Sequence, residues 1–406
     1  MISFDEAEKI ILDSVMRVEA EEVSITEAHG RTAAETVTSS DDIPCFDNSA
    51  MDGYAVRKED VATASKETPI ELEVIEEVPA GKVPQRKMRA GKAVKIMTGA
   101  PIPDGADAVV MVEDTEAEGS KIKVFAPVEK SNIRPKGEDI AAGSAVIEDG
   151  MLLRPQEIGV LASIGRQRIK VARRPRVAIL STGDEVIPHD QPLEHGKVRN
   201  SNSFTLRGMV KDAGAVPIDL GLVKDAMEDV VGALKSARKA DAVVTSGGVS
   251  VGEYDFVKDA LEQAGMKQKY WKVLMKPGFP SLFGTMGKTL CFGLPGNPVS
   301  VMVCFELLAR PAILKMQGRK EVRRPMIHAI LDDDKVKHKG ERRTFVCAHV
   351  TVVDGTFHVT VRGPQGSGML RSMSLANALL VLAEDAPAPG KGDRVPVLLL
   401  DNPQIE

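Results

Sequence analysis

The chain has 406 residues, which is enough for roughly two to four domains with substantial hydrophobic cores. Its net charge of −5 argues against a general nucleic-acid binder, and its aromatic content of 4% argues against a platform that stacks single-stranded bases. No apolar run approaches the ~20 residues that cross a bilayer, and the acidic N-terminus lacks the pattern of a signal peptide, so we expect a cytoplasmic protein.

The cysteines are scattered and form neither a C-x-x-C pair nor a metal-ligand spacing. Cys291 and Cys304 lie in apolar runs, where we expect buried, reduced thiols. The histidines do not cluster along the chain either. The sequence therefore argues against a metal centre built from cysteine or histidine.

The first 173 residues change character twice. The spacing of apolar residues predicts an amphipathic helix over 4–17. Residues 66–128 are then typical of short β-branched strands separated by Gly and Pro turns, and a helix is predicted again at Pro155–Ala162. This return of helical sequence predicts a β domain inserted into a composite N-terminal domain. The expected bounds are 41–139 for the inserted β domain and 1–40 with 140–173 for the composite domain.

Strands and helices alternate from Arg176 onwards. The predicted strands in this part are Val177–Leu180, Val216–Leu220, Ala242–Thr245 and Leu290–Leu294. This alternation predicts a parallel sheet covered on both faces, within a domain of residues 174–317. A long apolar helix from Val299 is expected to bend or stop near Pro311. Residues 318–406 are again rich in short strands and predict a separate C-terminal β domain.

Three loops directly follow strands of the predicted sheet. They are Ser181–Glu185, Ser246–Gly252 and Pro295–Pro298. Because ligands bind beyond the carboxyl ends of parallel strands, we expect these loops to converge on one ligand site. Gly247 and Gly248 would leave backbone N–H groups unobstructed before a helix, which suits a phosphate or another oxyanion. The alternative is a tight turn that binds nothing, but the convergence of three such loops favours a ligand site.

Six sequence blocks occur in one order along essentially the whole chain. They are Ser49–Val56, Met97–Asp107, Ser181–Glu185, Ser246–Gly252, Lys276–Gly278 and Gly293–Ser300. Together they resemble the signature series of the MoeA family, the molybdopterin molybdenumtransferases, which is similar to the C-terminal part of gephyrin. The resemblance implies a multidomain fold of the α/β plus β class. It would comprise the composite N-terminal domain, an inserted β-barrel-like domain, a molybdopterin-binding parallel-sheet α/β domain of the MogA/MoeA type, and a C-terminal β-barrel.

The resemblance also implies a reaction. Adenylylated molybdopterin and molybdate are the expected substrates: the pyrophosphate link is cleaved, AMP is released and molybdenum enters the dithiolene. Mg²⁺ is the expected cofactor, with Zn²⁺ as the alternative. The family is a homodimer whose active site lies between the α/β domain of one subunit and the first two domains of the other. A MogA-like adenylyltransferase and molybdoenzyme maturation factors are expected partners, whereas nucleic acid and membranes are not.

The candidate site residues follow from the matching blocks and from charge. Anionic substrates need N–H donors and fixed cations, and a divalent cation needs carboxylate oxygens. The expected catalytic residues are Asp52, Thr98, Asp255, Lys272 and Lys276. The expected substrate-binding residues are Arg134, Asp139, Ser246, Gly247, Gly248, Ser250, Pro295 and Pro298. The expected metal ligands are Asp184, Glu185 and Asp225.

Most of these residues have a purely structural alternative. Asp225 could cap a helix, Asp52 could form the turn before a glycine, and Asp255 could cap the helix after the glycine loop. One of Asp184 and Glu185 is expected to be an ordinary solvated carboxylate, and we favour Glu185 for the metal. The two lysines could be surface lysines, and the two prolines are expected to shape their loop rather than contact a ligand.

Two other hypotheses differ from this reading. A non-catalytic molybdopterin-binding or scaffold protein would share the fold, whereas a CinA-type domain would lack the block Met51–Ala55, which is present here. The joint presence of Asp52, Glu185 and Lys276 favours an enzyme. One departure from the family pattern is Phe279, which stands where family members often carry a basic residue. We therefore expect one cation fewer near the molybdate.

Overall fold

The fold is that of a computed structural model, which describes residues 1–224, 226–248, 256–334 and 336–405. The α-helices are Phe4–Asp13, Pro155–Ser163, Asn202–Asp212, Met227–Ser236, Phe256–Gln263, Pro298–Cys304, Arg310–Met316 and Leu370–Ser374. Short 3-10 helices lie at Ile25–Glu27, Lys58–Val61, Val112–Asp114 and Ala237–Lys239. Among the helices of the described residues, none combines the length and apolarity that a membrane span requires.

Strands that precede residue 40 pair with strands that follow residue 140. Ala20–Ser24 runs antiparallel to Arg168–Ala172, and Val37–Thr38 runs antiparallel to Ala145–Ile147. Their apolar side chains share one buried cluster, which contains Ala28, Ala33, Val37, Ile147, Leu153, Leu161, Ile169 and Val171. The two ends of this part of the chain are therefore held together by a common core.

The segment between these ends forms a curled, half-barrel sheet of six strands. The strand order is Ala108–Met111, Gly53–Val56, Lys92–Ile96, Ile70–Val78, Lys121–Val124 and Thr115–Glu118. A Cβ atom at Gly53 would overlap the carbonyl oxygen of Val110 on the neighbouring strand. Only glycine allows this close approach, which fixes the preceding residue, Asp52, at the end of the strand. A separate short pairing joins Asn48–Ser49 to Ile133–Arg134.

The α/β part contains a six-stranded sheet. Across the sheet, the strands are Val216–Val223, Arg176–Thr182, Ala242–Ser246, Thr289–Leu294, Leu282–Met286 and Lys267–Trp271. The first four are parallel, as predicted, whereas the last two are antiparallel strands that the sequence pattern did not predict. After Arg176–Thr182, the next strand along the chain pairs on one side of it. Ala242–Ser246 then pairs on its other side, and the later strands extend the sheet from there. The carboxyl ends of these two strands therefore meet at a topological switch point.

Helices cover both faces of this sheet. Ile179 points to the core beneath Asn202–Asp212 and the long helix that begins at Pro298. Leu180, its neighbour on the strand, points to the opposite core beneath the helices Met227–Ser236 and Phe256–Gln263. Burial on both faces explains why the central strands are continuous runs of apolar residues.

The long helix after Pro298 does not stop at Pro311. It passes through a π-helical turn at Phe305–Ala309 and continues to Met316. Proline has no N–H to donate, and its ring clashes with the carbonyl four residues before it, so a wider turn at this point relieves both problems. The expected stop near Pro311 is therefore wrong, because the helix goes on to Met316, and the irregular turn lies directly before the proline.

The C-terminal part closes into a five-stranded β-barrel. Its strands are Met326–Leu331, Arg343–Val353, Thr356–Val361, Ala378–Leu382 and Arg394–Leu399, with Gln404–Ile405 added at one edge. Closure arises because Arg343–Val353 pairs with both Thr356–Val361 and Ala378–Leu382. The short strand Met275–Lys276 of the α/β part also pairs with Arg343–Val353, and it joins the barrel to the α/β part. The chain is thus a multidomain protein of the α/β plus β class.

One ion pair joins the segment after the N-terminal part to the central strand region of the α/β sheet. Arg173 donates two hydrogen bonds of 2.7 Å to Asp241, which also accepts the Arg176 N–H at 2.7 Å. Burial acts to raise the pKa of Asp241, but the bonds from Arg173 and Arg176 outweigh it, so the pKa lies below its ordinary value. The carboxylate is therefore charged at neutral pH.

We predict that Asp241→Asn lowers the free energy of unfolding by about 1–3 kcal/mol at neutral pH, because it removes a charge-assisted pair. The folded pKa of Asp241 is lower than the unfolded one, so this stabilisation is lost as pH falls through the folded pKa. The difference between the variant and the wild type should therefore narrow below about pH 4. Denaturant unfolding measures both effects. The control Glu19→Gln, at an exposed partner of Arg173, should change the free energy of unfolding much less than Asp241→Asn does.

Candidate functional site

A cavity of about 660 Å³ lies at the carboxyl edge of the α/β sheet. We call it the glycine-loop cavity. Its walls come from the loops Ser181–Glu185 and Pro295–Pro298 and from Ser246–Gly248 between them. The predicted convergence of the three loops is confirmed for the described residues. The remainder of the glycine loop, including Ser250, lies outside them, as do Asp225 and Asp255.

Two glycines at the end of the central strand shape this cavity. Gly247 and Gly248 have φ values of +98° and +66°, in the left-handed region that favours glycine. A Cβ atom at Gly247 would lie 2.9 Å from the Thr182 carbonyl oxygen, and one at Gly248 would overlap Val257. The Gly247 N–H donates to the Leu294 carbonyl at 3.1 Å. The expectation that both glycines offer free N–H donors is thus corrected, because Gly247 fixes the loop instead.

Thr182 contributes a buried hydroxyl to the cavity wall. Its Oγ1 atom is shielded from solvent and has no hydrogen-bond partner among the described residues. The same atom lies 3.3 Å from the positions that Cβ atoms would take at Gly247 and Gly248. Buried hydroxyls in native proteins almost always have a partner, so this atom points to a ligand or an ordered water.

Sequence reasoning missed the segment that holds the loops together. Asn202 donates from Nδ2 to Ser246 Oγ at 2.8 Å and to the Gly296 carbonyl at 2.7 Å. It also begins the helix Asn202–Asp212, whose positive N-terminal end meets the cavity. The signal in the sequence is the run of amide and hydroxyl side chains in Asn200–Ser203, directly before an amphipathic helix.

Hydroxyl contacts extend this network beneath the cavity. Ser181 Oγ and Ser203 Oγ lie 2.7 Å apart, and Asn200 donates to Ser203 Oγ at 2.9 Å. Arg199 lines the cavity as well and is held by a bond from its Nε to the Gln191 carbonyl. The cavity thus combines hydroxyls, amides, a helix N-terminus and a guanidinium, which suits an anionic ligand.

The candidate metal ligands differ in their positions. Glu185 lines the glycine-loop cavity, whereas Asp184 is not part of its wall and uses its carbonyl to accept a bond from Lys197 Nζ. The Glu185 carboxylate is a hard oxygen donor of the type that Mg²⁺ prefers, so the donor chemistry of this cavity fits such an ion. The described residues contain no group of three or more His, Cys, Asp or Glu side chains arranged to hold a metal.

Asp52 and Thr98 lie together on the half-barrel sheet. Asp52 Oδ1 accepts the Thr98 N–H at 2.7 Å and the Thr98 hydroxyl at 2.8 Å. These two bonds, the backbone bond first, hold the pKa of Asp52 below its ordinary value. Backbone hydrogen bonds join the sequence blocks that contain these residues. The Ser49 N–H donates to the Ala100 carbonyl, and the Gly99 N–H donates to the Ser49 carbonyl. Both site residues are exposed, and the carboxylate is ionised at neutral pH.

Arg134 and Asp139 belong to the same region of the chain. Arg134 pairs with Asn48, next to the block that leads to Asp52, and Asp139 donates its N–H to the Ile43 carbonyl at 3.0 Å. Neither residue lines the glycine-loop cavity, and neither do Asp52 and Thr98. Within one chain, the candidate residues therefore form two separate groups.

The two candidate lysines have different environments. Lys276 is exposed and lines a second cavity of about 710 Å³ between the α/β part and the barrel, which we call the barrel cavity. Pro295 lines both cavities, and Pro298 begins the long helix beside the glycine loop. Lys272 lines neither of them: its Nζ lies 4.1 Å from the centre of the Trp271 ring in a cation–π contact.

The sheet, the barrel and the cavity define the class of the protein. A doubly covered α/β sheet has a cavity suited to an anion at its switch point, and a closed β-barrel and a separate carboxylate-bearing sheet accompany it. Three family descriptions match the chain in order: MoeA N-terminal region (domain I and II) at residues 2–165, probable molybdopterin binding domain at residues 178–315, and MoeA C-terminal region (domain IV) at residues 331–400.

Known relatives extend over the whole chain. A molybdopterin molybdenumtransferase of Nostoc sp. is 38% identical and matches 98% of this chain and 94% of its own length. The enzyme of that name from Haemophilus influenzae is 36% identical, with 98% of each chain covered. The crystal structure of the molybdopterin biosynthesis moeA protein of Pyrococcus horikoshii OT3 has a TM-score of 0.85 and 34% identity, covering 98% of this chain and 100% of that one. The chain belongs to the MoeA family of molybdopterin molybdenumtransferases.

We predict that Thr98→Ala raises the pKa of Asp52 towards its ordinary value, because the hydroxyl bond is lost while the backbone bond remains. Thr98→Ser keeps the hydroxyl and should leave the pKa close to that of the wild type. An NMR titration of the Asp52 carboxyl carbon measures both variants. An unchanged pKa in Thr98→Ala would show that the hydroxyl bond does not act on this carboxylate.

We also predict that Gly248→Ala lowers the free energy of unfolding by about 1–3 kcal/mol, because alanine is strained at a left-handed φ and its Cβ would overlap Val257. Gly232→Ala is the matched control: this glycine lies in the helix Met227–Ser236 with open space around it. That substitution should stabilise the protein by about 0.5–1 kcal/mol. Equal changes in the free energy of unfolding of the two variants would contradict the strained, left-handed conformation assigned to position 248.

Proposed function

We propose that this chain transfers molybdenum from molybdate to molybdopterin, with adenylylated molybdopterin as the second substrate. The pyrophosphate link is cleaved, AMP is released and molybdenum enters the dithiolene. The names of the relatives support the reaction class. The observation that carries the proposal is the unpartnered Thr182 hydroxyl in a cavity where a left-handed glycine loop, Asn202 and a helix N-terminus converge.

Residues of different charge have different roles in the proposed reaction. Thr182 and the N-terminus of the helix that Asn202 begins bind the phosphate-bearing substrate, and Lys276 in the adjoining cavity adds positive charge. Asp52 is a fixed negative group, because its bonds from Thr98 keep it ionised. Mg²⁺, or Zn²⁺ in its place, would be held by Glu185 and would neutralise charge that develops on the leaving phosphate.

We further propose a homodimer in which the active site lies between the α/β domain of one subunit and the first two domains of its partner. Support comes from the separation of the Asp52 group from the glycine-loop cavity within one chain. Met51, next to Asp52 along the chain, and Val198, in the cavity wall, are exposed apolar side chains that such an interface would cover. The surfaces that meet in this dimer belong to the four domains inferred from the sequence.

The same proposal places the reaction in the cytoplasm, downstream of an adenylyltransferase of the MogA type. Cys291, Cys304 and Cys347 are buried free thiols, as a reducing compartment allows. Burial raises the pKa of Cys291 and Cys304 to about 12, so neither is a reactive thiolate. Maturation factors of molybdoenzymes would receive the product.

The test is incubation of the purified protein with adenylylated molybdopterin, molybdate and Mg²⁺, with AMP measured by chromatography. The proposal predicts AMP release that depends on protein and on molybdate. Release no greater than in a protein-free control would contradict it and would favour a non-catalytic binding or scaffold protein of the same fold.

We predict that Asp52→Ala and Glu185→Ala each lower AMP release at least about 100-fold while the dimer and the fold remain intact. Both side chains are exposed, so their removal leaves no buried polar group without a partner. The matched controls are Glu116→Ala on the half-barrel sheet and Asp190→Ala in the loop after Glu185. Wild-type turnover in both site variants would show that these carboxylates have no catalytic role.

A further inference from the structure

Lys272 has a backbone conformation that is unusual for a lysine. Its φ is +70°, in the left-handed region. Among the described residues, the other non-glycine residues with a left-handed φ are Asn132 and Asp354. Asparagine and aspartate tolerate this region because their short polar side chains can hydrogen-bond to the local backbone, whereas lysine has no such compensation. The contacts around Lys272 must therefore hold it in this conformation.

The backbone groups of Lys272 bond to two other parts of the chain. Its N–H donates to the Ser281 carbonyl at 2.9 Å, and its carbonyl accepts the Ile2 N–H at 3.1 Å. The Leu274 N–H donates in turn to the Ile2 carbonyl at 2.9 Å, so that Ile2 forms a parallel bridge with Val273. Ile2 thus contributes both of its backbone polar groups to the segment that carries the lysine.

The helix that follows Ile2 anchors it to the barrel. Asp5, in the first turn of this helix, accepts bonds of 2.6 Å and 2.9 Å from the two terminal nitrogens of Arg343. Arg343 also donates its backbone N–H to the Leu274 carbonyl at 3.1 Å. Ile2 and the barrel strand therefore bond to the same lysine-bearing segment and to each other's neighbours.

The left-handed conformation decides the direction of the lysine side chain. The ammonium nitrogen of Lys272 lies 4.1 Å from the centre of the Trp271 ring. An extended backbone at position 272 would point the Cβ atom in a different direction and break this contact. Ser281, which accepts the Lys272 N–H, directly follows Pro280, a residue that lines both cavities. The placement of the lysine beside the two cavities therefore depends on this conformation.

We propose that Ile2 is a positioning residue for Lys272. Its two backbone hydrogen bonds hold the strained lysine in the orientation that the transfer reaction uses, and the ion pair of Asp5 with Arg343 keeps Ile2 in place. The inference rests on the proposed function and deepens it, because Lys272 is a catalytic residue that the family resemblance implies. Ile2 touches no substrate in this account and acts through Lys272.

The experiment compares AMP release by the wild type with that of a variant that lacks Ile2 and Ser3, so that Met1 directly precedes Phe4. The deletion removes both bonds from Ile2. It should lower kcat about 10- to 100-fold and leave KM within about twofold, because a displaced catalytic group is lost mainly from the transition state. The matched control is Ser3→Ala, which removes the side-chain cap of the helix but keeps Ile2. Its kcat should stay within about twofold of the wild type.

A double-mutant cycle separates positioning from general damage to the fold. Lys272→Met should itself lower kcat. Adding the deletion to Lys272→Met should lower kcat by less than about twofold further, because the lysine that Ile2 positions is already absent. A further loss as large as that in the wild-type background would overturn the inference. So would a wild-type kcat in either the deletion variant or Lys272→Met.

Hydrogen exchange of the Lys272 amide tests the inference without turnover. In the deletion variant this N–H keeps its acceptor, the Ser281 carbonyl, so it exchanges faster only if the strained backbone relaxes. We expect exchange at least about tenfold faster, measured by mass spectrometry on overlapping peptides. Unchanged exchange would overturn the inference. Faster exchange together with a wild type that releases no AMP would contradict only the proposed function.

A second pair of variants decides the question if the deletion variant does not fold. Asp5→Asn weakens the anchor of Ile2, and Asp13→Asn removes an exposed ion pair at the other end of the same helix. Exchange of the Lys272 amide should be about 2- to 5-fold faster in Asp5→Asn and unchanged in Asp13→Asn. Equal exchange in the two variants would overturn the inference.

Discussion

One side-chain amide joins two of the three loops around the glycine-loop cavity. Asn202 donates to Ser246 Oγ at the end of the central strand and to the Gly296 carbonyl in the loop after the next strand. The amide also stands at the first turn of a helix, so it ties the positive end of that helix to both strand ends. The parallel sheet creates the crevice, and these two bonds set its shape.

The charged groups of the candidate sites are divided between separate parts of the chain. Hydroxyls, amides and cations gather around the two adjoining cavities, which suits anionic substrates. The ionised Asp52 lies elsewhere, on a sheet where Gly53 and Thr98 fix it. In the proposed homodimer, the surface that carries Asp52 would approach the two cavities from the partner subunit.

Local sequence patterns predicted much of the fold. Strand ends within a residue or two of the observed ones, such as Ala242–Ser246, follow from apolar runs bounded by glycine and proline. The antiparallel strands Lys267–Trp271 and Leu282–Met286 were missed, because charged and small residues interrupt their pattern. The convergence of the three loops was predictable from the strand ends, whereas the role of Asn202 was not. It depends on partners more than 40 residues away, which no local pattern encodes.

The central claim is that one active site combines residues of two subunits, and intersubunit complementation tests it most directly. Asp52→Ala and Glu185→Ala chains are co-expressed with different tags, and the mixed dimer is purified and assayed for AMP release. Each mixed dimer would contain one intact site and one doubly altered site, so we expect about half of the wild-type activity per dimer. Activity no greater than that of the single variants would contradict the account, because it would place both residues in the site of one chain.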